Sequence, residues 1–306
     1  MGVFAGLLAM GGCTPSHWLQ GEFDAAAGAS EIGAPDVLVA APEVGPESSL
    51  PVCEDAEGPR ADALGWATDA AATCSGICNA VTPSYPTVSP SAGQGNVTMY
   101  STEASSGGAC NYGATKVMYF VAVNVNVTPG DGLGQWQAGH ACGQCAEVTA
   151  LTTHGPQSVV VRIMDKCADV YCGMDLGGLA PAAIMSDGFG RFAGSWRFVS
   201  CTGHPEVFDG PTSLHVSSGA NRYWSRVQVR NPPSAVQSIE WRDSAAATGA
   251  FPYASDPENT FEVPPSVLQS TVTSLTVTAR FGDGSSATVD LGPGQLAVEN
   301  ASYVMK

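Results

Sequence analysis

A chain of 306 residues, 44% hydrophobic and only 13% charged, is long enough for two domains of ordinary size with real cores. Its net charge of −16 argues against partners held by electrostatics, such as nucleic acid, anionic lipid or acidic pectin. No apolar run reaches the roughly 18 residues that span a bilayer, which excludes a polytopic membrane protein. The 36 Gly and 21 Pro favour a loop-rich β protein over a helical one, and ten Cys suit an oxidising compartment.

The chain opens on a short apolar run, Val3 to Met10, followed by Gly11, Gly12 and Cys13. This reads as an export signal ending in a lipobox-like small-small-Cys, with Cys13 the candidate for a lipid anchor, although no Lys or Arg precedes the run. Residues 14–95 hold 11 acidic residues against the single basic Arg60 and are rich in Ala, Gly, Pro and Ser. Such a segment buries too little apolar surface to offset its ordering entropy, so it is expected to be a largely disordered, self-repelling tether. Within it, a short helix is predicted over Ala61 to Ala72, and Cys53, Cys74 and Cys78 make an odd thiol count.

Residues 96–205 change texture to short β-branched runs separated by Gly. Asn96 to Ser101, Val117 to Val127, Ala146 to Leu151, Val159 to Met164 and Trp196 to Cys201 are predicted strands, with a helix over Ala180 to Ser186. Several short strands and one helix point to a compact β-barrel. Cys142, Cys145, Cys167 and Cys172 have spacings that a zinc ribbon also uses. Cys110 and Cys201 raise the count to an even six, which in an exported chain favours disulfides.

Four strings in this region occur in a telling order: VTMYSTEASSGGACNYG at 97–113, CGQCAEVT at 142–149, VVVRIMDKCADVYCGMDLG at 159–177 and SWRFVSC at 195–201. Together they resemble the barwin-type barrel of expansins, and the resemblance implies a six-stranded double-psi β-barrel. It also implies the pairs Cys110–Cys142, Cys145–Cys201 and Cys167–Cys172. In that family a Thr of the first strand and an Asp in an FDL-like motif line an open polysaccharide groove; the matching positions are Thr98 and Asp175. Asp165 matches a second acidic position of bacterial expansins, whereas Cys167 stands where they carry a Tyr. Tyr100 and Trp136 are candidate sugar-stacking faces.

An inverting glycosidase needs a general acid and a separate base, with carboxyls roughly 6.5–9.5 Å apart. Asp175 can serve as the acid, but Thr98 stands where endoglucanases on this barrel place an Asp. Glu103, Glu147 and Asp165 are the remaining carboxylates to consider, none at the matching base position.

Residues 206–306 read as a second, all-β unit. Strands are predicted over Thr212 to Val216, Tyr223 to Arg230, Val236 to Trp241, Thr260 to Val263, Leu275 to Arg280 and Ser286 to Leu291, with a hairpin at Gly282-Asp283-Gly284. Their spacing suggests a β-sandwich. The string ANRYWSRVQVRN at 220–231 resembles the signature of the second expansin domain, an immunoglobulin-like cellulose-binding module. The family's aromatic platform then maps to Tyr223, Trp224 and Tyr253. Alternation supports Trp224 independently, because it shares parity with Arg226, Gln228 and Arg230 while Val227 and Val229 face the core. Tyr223 faces outward only if it precedes the regular strand or sits at a bulge, and Trp241 shares parity with Ile239 as a core residue.

The expectation is a mainly β protein: signal 1–13, tether 14–95, barrel 96–205 and immunoglobulin-like sandwich 206–306. It is expected to be secreted, monomeric and without a cofactor, binding cellulose or a related plant cell-wall glucan and loosening it without cleavage. Two alternatives stand: a glycan-cleaving enzyme on the same barrel, acting on cellulose or on peptidoglycan as a lytic transglycosylase, and a pure carbohydrate-binding protein.

Overall fold

The structure, a computed structural model, describes residues 82–184 and 190–306. The export signal, Cys13, most of the tether, the helix over 61–72 and Cys53, Cys74 and Cys78 lie outside the described residues.

Seven strands build the first unit: β1 (Thr87–Val88), β2 (Ala92–Met99), β3 (Tyr119–Asn124), β4 (Cys145–Thr152), β5 (Gly155–Cys167), β6 (Cys172–Gly178) and β7 (Phe192–Val199). Their order is β1-β2-β6-β3-β5-β4-β7, and β2 also pairs with β7, which closes a six-stranded barrel. β2–β6 and β3–β5 are parallel and the other barrel pairings antiparallel. Val97, Val121, Ile163, Met174, Leu176 and Phe192 point into one buried core.

Two strands were not legible as such. β1 and the first half of β2 fall inside the span read as tether, and β6 carries Gly173, Gly177 and Gly178, which read as loop. The buried Trp196 explains part of this: a Cβ on Gly93 would lie 2.4 Å from its ring, and one on Gly173 would lie 2.7 Å from it. The indole Nε1 donates to Gln135 Oε1 at 2.6 Å, and Gln135 Nε2 donates to the carbonyls of Ser89 and Ala92. The tryptophan therefore holds the lead-in strands against the barrel. The predicted helix is α1, Ala180–Ile184, with its last predicted turn beyond the described residues. The sulfurs are joined as Cys110–Cys142, Cys145–Cys201 and Cys167–Cys172, so the four cysteines with zinc-ribbon spacing are disulfide-bonded.

The remaining strands form two stacked sheets. β8 (Ser213–Val216), β9 (Arg226–Arg230), β12 (Tyr253–Ala254), β13 (Thr260–Glu262) and β16 (Ser302–Val304) make a five-stranded sheet in the order β12-β13-β9-β8-β16. β10 (Val236–Asp243), β11 (Thr248–Phe251), β14 (Leu275–Phe281) and β15 (Ser286–Leu291) make a four-stranded sheet in the order β11-β10-β14-β15. The predicted hairpin joins β14 to β15, where Gly284 N–H donates to the Phe281 carbonyl at 3.0 Å. Val227, Val229, Ile239, Val277 and Phe281 fill the space between the sheets.

A polar seam joins barrel and sandwich. Gln228 Nε2 and Asn259 Nδ2 both donate to the Cys110 carbonyl at 2.9 Å, and Lys166 pairs with Glu258 at 3.2 Å. Gln228, placed by alternation on the solvent face of β9, is consequently buried under the barrel.

Candidate functional site

Along β2 the core takes Val97 and Met99, so Asn96, Thr98 and the following Tyr100 point outward. Thr98 is paired with Asp175 of β6, and its hydroxyl donates to Asp175 Oδ1 at 2.7 Å. Asp175 is in turn paired with Ala122 of β3, and Ala122 with Asp165 of β5. The four residues thus form one row across three neighbouring pairings. The two carboxylates stand two strand spacings apart, roughly 9–10 Å at the backbone, with the small Ala122 between them. A register shift between Val121 and Ala122 makes this possible: Asp165 has the parity of the core residue Ile163, and the shift turns it outward.

The two acids sit in different environments. Burial pushes the Asp175 carboxyl up from its ordinary value; the Thr98 hydrogen bond works against this, and the Asp169 and Asp165 charges add to it. Asp165 Oδ1 instead accepts the N–H groups of Ala109 at 2.8 Å and Lys166 at 2.9 Å. Tyr100 is exposed beside them, its ring edge-on to Phe120 at 5.9 Å, and burial together with both carboxylates pushes its phenol up. No protein group among the described residues is hydrogen-bonded to Asp175 Oδ2. Of the other carboxylates considered, Glu103 is exposed in a loop, and Glu147 on β4 is paired with Arg197 at 2.5 Å. β3 and β5 separate β4 from β6 in the barrel order, so Glu147 does not share the row.

The raised Asp175 carboxyl carries a signed consequence for stability. An acid whose folded pKa exceeds its unfolded one costs stability as pH rises through the folded value, and costs none below about 3.8. Asp175→Asn removes that cost. Its melting temperature relative to wild type is therefore expected to be highest at pH 7 and to decline toward pH 3. A thermal-denaturation series across that range checks this, and a constant offset would refute it.

On the sandwich, Asn221 Oδ1 accepts the N–H groups of Tyr223 at 2.9 Å and Trp224 at 3.2 Å, which makes a tight side-chain-capped turn before β9 begins at Arg226. Because both aromatics precede the strand, alternation does not turn Tyr223 inward. Tyr223 is 61% exposed and Trp224 43%. Arg222 lies over the Tyr223 ring at 4.6 Å and Arg226 over Trp224 at 5.6 Å.

Residues 97–201 match the model of the Barwin family. The likeness extends beyond this match to crystal structures of an expansin from Clavibacter michiganensis. The apo form superposes with a TM-score of 0.52 at 22% identity, covering 70% of this chain and 95% of that one. An Asp-to-Asn variant of the same expansin, in complex with cellohexaose, gives a TM-score of 0.53 at 19% identity with the same coverage. At such identities the likeness is one of fold. No curated protein matches the chain.

The fold corrects three of the expected roles. Trp136 is not an open stacking face: it is 3% exposed, its Nε1 donates to Glu258 Oε2 at 3.1 Å, and Lys166 lies over its ring at 5.6 Å. It is a seam residue between the barrel and the sandwich. Tyr253 is also drawn into the seam, with His140 stacked on its ring at 4.1 Å and its hydroxyl donating to the Ala138 carbonyl at 2.9 Å. The three-aromatic platform is thus two open rings, and a third with one face covered. Trp241 is half-buried rather than fully buried, packed on the sandwich core and against Gly249.

Two charged neighbours of Asp175 escaped the sequence reading. Asp169 and Arg191 both act on its carboxyl and lie 4.0 Å from each other. Asp169 was visible inside the 159–177 string, six residues before Asp175, but Arg191 comes near Asp175 only through the fold. Among the described residues no group of three or more His, Cys, Asp or Glu is arranged to hold a metal.

Proposed function

We propose that the protein binds cellulose or a related plant cell-wall glucan and loosens it without hydrolysis. The observation that carries this is the Thr98–Asp175 pair: the hydrogen-bonded cross-strand partner of the half-buried acid is a hydroxyl, not a second carboxylate. Asp175 Oδ2 and the Thr98 oxygen are free to engage sugar hydroxyls, while Tyr100 offers an apolar ring for a pyranose face. The cellohexaose bound to the Clavibacter expansin variant supports a linear β-glucan as ligand. Tyr223 and Trp224 supply the flat surface that would hold the protein on insoluble glucan. Export, with Cys13 as the candidate anchor, belongs to the same proposal, and three disulfides suit an oxidising exterior.

Reducing-end analysis after long incubation with swollen cellulose, and separately with purified peptidoglycan, tests the reading. No soluble ends above an inactive control are expected, because the hydrogen-bonded partner of Asp175 is the Thr98 hydroxyl and Asp165 Oδ1 is held by two backbone N–H groups rather than aimed at a water. Sustained turnover that is lost in Asp175→Asn would instead show a glycan-cleaving enzyme on this barrel.

A further inference from the structure

An aromatic pair sits at the upstream end of the groove, and no role described so far uses it. Tyr85 and Tyr171 have ring centroids 5.0 Å apart and planes inclined by 30°, and Tyr85 is 45% exposed. They come from unrelated segments: Tyr85 from the lead-in before β1, Tyr171 from the turn before β6. Buried Asn96 clamps both, its Nδ2 donating to the Ser84 carbonyl at 3.1 Å and the Tyr171 carbonyl at 2.8 Å. Pro86 is buried against β2, and the Tyr171 N–H is held by Asp169 Oδ1 at 2.8 Å. The two rings are therefore pre-positioned, so a ligand has little ordering entropy to offset.

Their position follows from strand register. Asn96, Thr98 and Tyr100 face outward at two-residue intervals along β2, roughly 6–7 Å apart. That interval is comparable to the length of one pyranose residue. Asn96 holds the Ser84 and Tyr171 carbonyls at its own level, the Thr98–Asp175 pair lies at the next and Tyr100 follows at the third. The Tyr85 and Tyr171 segments are thus anchored before the acid along β2, and Tyr100 comes after it.

We infer that Tyr85 and Tyr171 form a sugar-stacking subsite, so that the groove takes a linear glucan along β2, with one sugar on this pair, the next at Asp175 and a third toward Tyr100. The inference rests on the glucan-binding reading above and deepens it. Tyr85 precedes the family-matched residues 97–201, so the lead-in segment contributes this end of the groove.

The test is a calorimetric titration with cellobiose, cellotetraose and cellohexaose in a Tyr223→Ala/Trp224→Ala background, which removes the sandwich rings. Cellohexaose is expected to bind more tightly than cellobiose. Adding Tyr85→Ala and Tyr171→Ala should weaken cellohexaose at least about fivefold and leave cellobiose nearly unchanged, whereas Tyr85→Phe with Tyr171→Phe should keep the wild-type length dependence. Length-dependent binding that survives the double alanine change would overturn the subsite alone. No binding of any of the three sugars in the background would overturn the glucan reading of the groove and the subsite with it.

Discussion

Asp175→Asn is expected to abolish extension of plant cell-wall strips, or to cut it by roughly ten- to a hundredfold, the worth of a hydrogen bond to a charged group. Binding to insoluble cellulose should stay within about twofold of wild type, because the rings of Tyr223 and Trp224 lie on a different sheet system. The asymmetry follows from the groove chemistry. Asn keeps an Oδ1 to accept the Thr98 hydroxyl at the 2.7 Å position, so the local fold survives. What is lost is the charge and the second acceptor, Oδ2, which has no hydrogen bond within the protein among the described residues. Thr98→Val is the matched control: it should also impair extension, through loss of the hydroxyl that orients the carboxylate. Extension unchanged in Asp175→Asn, measured on the same strips, would remove the groove from the loosening mechanism.

Trp224→Ala should weaken binding to insoluble cellulose by about 1–2 kcal/mol, five- to thirtyfold, and leave the melting temperature nearly unchanged. The indole is 43% exposed in a turn held by Asn221, so its removal opens no cavity between the sheets. Trp241→Ala should show the opposite pattern. Its ring packs on the core beside Ile239 and Gly249, and truncation should lower stability by about 2–3 kcal/mol with cellulose binding per folded molecule retained. A half-buried tryptophan costs less than a fully buried one, so the sandwich should remain folded at room temperature. Pull-down and denaturant titration of the two variants together separate binding from folding. Equal pull-down by wild type and Trp224→Ala would remove the aromatic-platform reading.

Features that depend on neighbours along the chain were legible without coordinates. Period-two alternation places Val227 and Val229 inward, and β-branched runs mark β3, β4, β5 and β7 to within a few residues. The Gly282-Asp283-Gly284 turn identifies its hairpin. The family resemblance of the strings implies that Thr98 and Asp175 act together, and the structure joins them by a hydrogen bond. What the tertiary structure alone decided involves contacts between distant segments. That Gly-rich residues 172–178 form a strand reflects close approaches from distant segments: Trp196 over Gly173, the Phe120 ring over Gly177 and the Met118 backbone over Gly178. Whether Asp165 faces the groove depends on a register shift against β3, which a single strand's pattern cannot encode. Trp136 and Tyr253 carry ordinary surface-aromatic sequence contexts, and only the approach of the second sheet system turns them into seam residues. Tyr85 and Tyr171 stand 86 positions apart and meet where Asn96 bonds the carbonyls of Ser84 and Tyr171. Local periodicity is written into consecutive residues, whereas bulges, close approaches and seams are set by whichever distant surface arrives opposite them.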